Sequence, residues 1–111
     1  MSERDDDLAA VWDDWQRDVN MTPAELEKWL ATDESRSSGE SHGGETTGHR
    51  SGRRIVTLLR KNKSDLSPDD IEWMQKVVGY VARHSAQRPS GDVTETTWRY
   101  SLMNWGHDPK K

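Results

Sequence analysis

The chain contains no cysteine and no phenylalanine. Without cysteine it forms no disulfide, carries no thiol nucleophile and offers no cysteine-bound zinc, which fits a cytoplasmic protein. Aliphatic residues are scarce as well. Leu, Ile and Val number 7, 2 and 7 among 111 residues, below the roughly 20% that marks disorder when net charge is also high. Net charge is only −4, so that second condition fails. No run approaches the roughly 18 apolar residues of a membrane-crossing helix. The opening Ser2-Glu3-Arg4-Asp5-Asp6-Asp7 is acidic and leads into no apolar stretch, so it does not read as a secretory signal. No repeat of solenoid length occurs.

Tryptophan offsets part of the missing aliphatic mass. There are six, and each can bury ~150–250 Å². The expectation is a thin, Trp-rich core with a disordered segment beside it. So small a core leaves little room for a large enzyme pocket. His42, His49, His84 and His107 show none of the i, i+3 or i+4 spacings of a helical metal site, and no metal, cofactor or catalytic residue is expected.

Charge is distributed unevenly. Residues 1–34 hold eleven acids against three bases, a balance of −8. Residues 35–63 hold seven bases (Arg36, Arg50, Arg53, Arg54, Arg60, Lys61, Lys63) against Glu40 and Glu45, a balance of +5. An acidic protein with a local basic patch can still meet a polyanion. The competing reading is that the acidic arm pairs with the patch internally.

Periodicity predicts an all-α single domain of four to five short helices. Leu8, Val11, Trp12, Trp15 and Val19 line one face of a helix over 5–19. Thr22-Pro23-Ala24-Glu25 is a capping box with proline at the first helical position. It opens a second helix to Ala31 that buries Leu26, Trp29 and Leu30. Residues 32–50 have no aliphatic, Met or aromatic side chain and cannot repay their ordering entropy by apolar burial, so they read as a long flexible loop between helices two and three. A third helix is expected from Ser51 or Gly52 to Lys61. A fourth is capped by Ser67 and runs to Ala86 with Ile71, Met74, Val77, Val78 and Val81 inward. A fifth, capped by Asp92 with Glu95, carries Val93, Trp98, Leu102 and Trp105 and stops at Gly106. The domain thus divides into an acidic helical hairpin (1–31), the polar loop (32–50), a three-helix part (51–106) and a tail (107–111).

Four stretches carry a resemblance: Gly48-His49-Arg50-Ser51-Gly52-Arg53-Arg54-Ile55-Val56; Val77-Val78-Gly79-Tyr80-Val81 with Gln87-Arg88-Pro89; Trp98 to Pro109; and Met21 to Leu30. Together they resemble a family of short bacterial and archaeal proteins catalogued as a domain of unknown function. Its members often carry the loose label "DNA-binding protein". The resemblance covers nearly the whole chain and implies a family rather than an activity.

The expected start of helix three is the main functional candidate. Arg53 and Arg54 in a first turn would oppose the helix dipole, whereas free N–H groups there would hold an anion and Gly52 would let it approach. Arg50, Ser51, Gly52, Arg53 and Arg54 are therefore expected to cradle a phosphate, with Arg60, Lys61 and Lys63 extending the strip along a nucleic-acid backbone. No helix shows the Asn, Gln and Arg pattern of base reading. Gly-His-Arg-Ser-Gly matches neither a hydrolase elbow nor a P-loop, and Ser51 reads as an N-cap. The first expectation is a small DNA-binding protein. The alternative is a protein-interaction module without nucleic acid, using Trp73 and Tyr80, seven residues apart, as its partner face. No membrane partner is expected.

Overall fold

The computed structural model describes residues 3–38 and 46–111. Its elements are α1 (Glu3–Asp18), α2 (Pro23–Leu30), α3 (Asp33–Ser37), α4 (Thr47–Leu59), a single 3-10 turn (Lys63–Asp65), α5 (Pro68–Ser85) and α6 (Thr97–Asn104). No helix among the described residues is long and apolar enough to cross a membrane.

Local sequence chemistry sets the clearest boundaries. Thr22 and Glu25 form a reciprocal capping box with Pro23 at the first helical position, and Ser67 with Asp70 does the same for α5 behind Pro68. Gly106 takes φ +80 after α6, the left-handed stop that glycine accepts without strain. The core is one cluster. Leu8, Val11 and Trp15 of α1, with Val19 just past its end, join Leu26, Ile55, Met74, Val77 and Leu102 from α2, α4, α5 and α6. The main seams are α1 on α5 and α2 on α4, while α6 touches α2, α3, α4 and α5.

The polar stretch 32–50 is not a plain loop. Asp33–Ser37 is helical and α4 begins at Thr47 rather than Ser51; the part over 39–45 lies outside the described residues. Thr32 Oγ accepts the Ser35 N–H at 3.1 Å, and Asp33 and Glu34 occupy the first turn, where their charge suits the dipole. Thr46 Oγ accepts the His49 N–H at 3.1 Å. Ser35 and Ser38 are buried. Burial here is hydrogen-bonded rather than apolar, which is why hydrophobic periodicity misses it. The last helix is likewise shorter than expected. Asp92 Oδ1 accepts from the Thr94 N–H at 2.9 Å in a local turn, and Thr96 caps α6 instead.

The tail is fastened. Asn20 Nδ2 donates to the Asp108 carbonyl at 3.0 Å and its Oδ1 accepts the Asp108 N–H at 2.8 Å. Arg99 Nε and Nη2 grip the two Asp108 carboxylate oxygens at 3.1 Å each, the strong bidentate geometry. Burial pushes the Asp108 carboxyl up, but Arg99 and the Lys110 backbone N–H outweigh it and hold it below its ordinary 3.8. A depressed carboxyl stabilises the fold above its unfolded pKa, and that contribution is lost as pH falls through the folded value. Thermal melts of wild type should therefore lose stability below about pH 4, and Arg99→Met should show a shallower acid limb with lower stability at neutral pH.

Close packing of α4 gives a second expectation. A Cβ on Gly52 would stand 2.6 Å from the Asn104 carbonyl oxygen and 2.6 Å from Leu30 Cδ2. Helix propensity alone favours Gly52→Ala by about 0.8–1 kcal/mol, but the clash is with backbone and should reverse the sign. Net destabilisation of about 1–3 kcal/mol is expected in urea melts.

Candidate nucleic-acid interface

The sequence of α4, TGHRSGRRIVTLL, contains no acid. Its Gly48, Ser51, Gly52, Ile55 and Leu58 are buried, whereas Arg50, Arg53, Thr57 and Arg60 are exposed and Arg54 is intermediate. These are two helical faces of 3–4 residue spacing. The exposed face runs about 15 Å from Arg50 to Arg60, and Lys61 and Lys63 follow just past the helix end.

The early start of α4 changes the expected cradle. Arg53 and Arg54 lie in the second turn, so they do not oppose the dipole. The Arg50 N–H is already bonded to the Thr46 carbonyl at 3.0 Å. Ser51 is not a cap but fully buried, with no hydrogen-bond partner for its hydroxyl among the described residues. Gly52 is pressed against Asn104 and Leu30. Neither reaches the surface, and the structure brings together only the basic members of the predicted set.

Several of those bases have internal partners. Arg60 is ion-paired and hydrogen-bonded to Glu27 of α2, an exposed pair in which Arg60 lowers the Glu27 carboxyl and Glu27 raises the guanidinium. Asp70 of α5 receives both Lys61 Nζ at 2.7 Å and Arg54 Nη2 at 3.5 Å. Its side chain is 9% exposed. Burial would raise this carboxyl, yet Lys61 and the Ser67 cap outweigh it and hold it below 3.8. Arg54 also lies 4.9 Å over the Trp73 ring, and Lys63 4.3 Å over Trp12. Acids thus reach the strip from α2 and α5, not only from the acidic first segment. Arg60 and Lys61 also stand at the C-terminal end of α4, where cations complement the dipole.

Between α2 and α4 lies a cleft of about 420 Å³ whose walls include Glu27, Leu30, His49, Arg53, Val56 and Arg60. His49 Nε2 donates to the Leu30 carbonyl at 2.7 Å, tying the end of α2 to α4. With Ser51 turned into the core, the two do not form a nucleophile–base pair. Among the described residues no three His, Asp or Glu side chains converge on a metal-sized site.

Trp73 and Tyr80 are both partly buried and meet through a third ring. Trp105 stacks on Trp73 with centroids 6.4 Å apart and on Tyr80 at 4.2 Å, and Tyr80 stacks on His84 at 4.8 Å. They form part of a ladder rather than an open aromatic pair.

A family model described as "Protein of unknown function (DUF3140)" matches residues 14–103. The chain belongs to this family. No curated protein and no solved structure matches it. The DUF3140 description assigns no activity, so a functional reading rests on geometry. Sequence reasoning missed Asp70 as the shared counterion. Its only signal was its place in the α5 capping box, a structural role that conceals the electrostatic one.

That double role is testable. Asp70→Ala removes the acceptor for Lys61 and for the Ser67 N–H together. It should lower stability by about 1.5–3 kcal/mol in urea melts, whereas loss of an ordinary surface pair would stay within about 0.5 kcal/mol.

Proposed function

We propose that the chain is a cytoplasmic, non-enzymatic protein that contacts DNA through its phosphates. The contacts are made by Arg50, Arg53 and Arg60 on the exposed face of α4, flanked by Arg54, Lys61 and Lys63. The observation that carries this reading is the acid-free outer face of α4, with arginines aligned over three turns. Its counterions among the described residues include Glu27 of α2 and Asp70 of α5. The Glu27–Arg60 pair is about half exposed on both sides, and such pairs contribute only about 0–1 kcal/mol. A phosphate can therefore replace Glu27 at little loss. Ser51 and Gly52 take no part, being buried. α4 carries no Asn or Gln beside its arginines, so the contacts are read as mainly to phosphate, sequence-tolerant and salt-sensitive.

Fluorescence anisotropy of labelled duplex DNA tests this across about 50–300 mM salt. Neutralising about four phosphates gives a log–log slope near −3.6. The Arg50→Ala, Arg53→Ala double variant should fold normally and reduce the slope by about 1.8. Glu27→Gln should bind more tightly, because Arg60 is released. Absence of binding at about 50 mM salt overturns the reading and turns the search to a protein partner.

A further inference from the structure

A second concave site lies away from the outer face of α4 and uses none of its arginines. It is a cavity of about 350 Å³ between the first turn of α4, the later half of α5 and α6. Gly48, Tyr80, His84, Ser101, Asn104 and Trp105 are among the residues that line it. Its size lies at the lower end of the range for small-ligand pockets. Gly48 keeps it open, because a Cβ there would stand 3.3 Å from Asn104 Nδ2 and 3.5 Å from Trp105 Nε1.

Its polar groups fall into two kinds. Asn104 is fully engaged with the protein, accepting from Trp29 Nε1 and Ser35 Oγ and donating to the Ser35 and Ser38 carbonyls. The Trp105 indole N–H and the His84 ring, in contrast, make no hydrogen bond among the described residues. The Tyr80 phenol, with the Ser101 hydroxyl beside it, lines the same space. Three stacked rings (Trp105, Tyr80 and His84) form its aromatic wall. Among the described residues no Asp, Glu, Lys or Arg lines it, and burial pushes the His84 imidazole below its ordinary value, which favours the neutral ring.

We propose that this cavity binds a small, flat, uncharged heteroaromatic molecule of nucleobase size. Flat rings match the aromatic wall in stacked or edge-to-face contact. Ring nitrogens and carbonyl oxygens on the ligand perimeter meet the Trp105 N–H, the Tyr80 and Ser101 hydroxyls and the His84 ring. The described lining residues offer no cation to pair with a carboxylate or phosphate, which would be buried unpaired against them. The inference is independent of DNA contact by α4.

The test titrates free adenine and free uracil into the full chain, with benzoate as the charged comparison. Binding is read from the Trp105 indole resonance in a proton–nitrogen correlation spectrum and from tryptophan fluorescence. Both bases, or one of them, should move the Trp105 indole resonance saturably at millimolar concentration or below, and benzoate should not. Tyr80→Phe keeps the ring stack but removes the hydroxyl, and should weaken binding about two- to tenfold. Gly48→Val should abolish it by filling the space, and Ser101→Ala provides a second mild variant if Gly48→Val fails to fold. The Arg50→Ala, Arg53→Ala variant should bind as wild type does. The proposal is overturned if neither base moves the Trp105 resonance at millimolar concentration. It is equally overturned if benzoate binds as well as the bases do, or if Tyr80→Phe and Ser101→Ala both bind unchanged.

Discussion

The arrangement of four helices depends on one buried amide. Asn104 is fully buried near the end of α6. Its Oδ1 accepts from Trp29 of α2 at 2.8 Å and from the Ser35 hydroxyl of α3, and its Nδ2 donates to the Ser35 carbonyl at 3.1 Å. Its own carbonyl oxygen lies so close to α4 that only a glycine fits at position 52. A buried amide left without partners is costly, about 1–3 kcal/mol for each unmet group. Its full engagement therefore fixes α2, α3 and α6 in one mutual register. Gly48 and Gly52 then allow α4 to settle against that register at backbone distance.

This constraint explains what the sequence discloses and what it conceals. α1, α2 and α5 announce themselves through apolar periodicity and two capping boxes, because their burial is hydrophobic and their caps are local. α3 and the first turn of α4 are held instead by Thr32, Thr46, Ser35 and Ser38 acting on partners as much as 69 residues away. Polar burial of that kind leaves no periodic trace, since a serine at an exposed position and one under Asn104 are spelled alike. The basic strip was legible as a list of residues. Its split into outward arginines and an inward Ser51 and Gly52 followed only from the true start of α4, four residues before Ser51.

The tryptophan content takes on a specific meaning in this setting. A chain with so few aliphatics cannot interdigitate many branched side chains, so flat rings do the joining. Trp105, turned at the end of α6, is shared by Trp73 and Tyr80 of α5, while Trp29 of α2 meets Tyr100 of α6 at 5.4 Å. Large rings span helices with few side chains, at the expense of imperfect polar matching. The buried Trp73 indole N–H has no hydrogen-bond partner among the described residues. Trp105 keeps its N–H toward a cavity instead, which avoids that penalty and leaves a donor available.

The bases differ in how far the fold depends on them. Arg54 and Lys61 converge on Asp70, a carboxylate that also caps α5, and Arg54 covers Trp73. Removing either disturbs a largely buried charge, so they brace the α4–α5 seam before they can serve any ligand. Arg60 is intermediate, held by an exposed acid that an incoming anion can displace. Arg50 and Arg53 are exposed on the outer face of α4, and the helix beneath them is seated through Thr46, Gly48 and Gly52. These arginines stand on the same helix whose inner face packs at backbone distance on Asn104 of α6. Close seating of that helix would lower the ordering cost of an arginine row that meets a repeating anion, which is the physical basis on which we propose this face for phosphate contact.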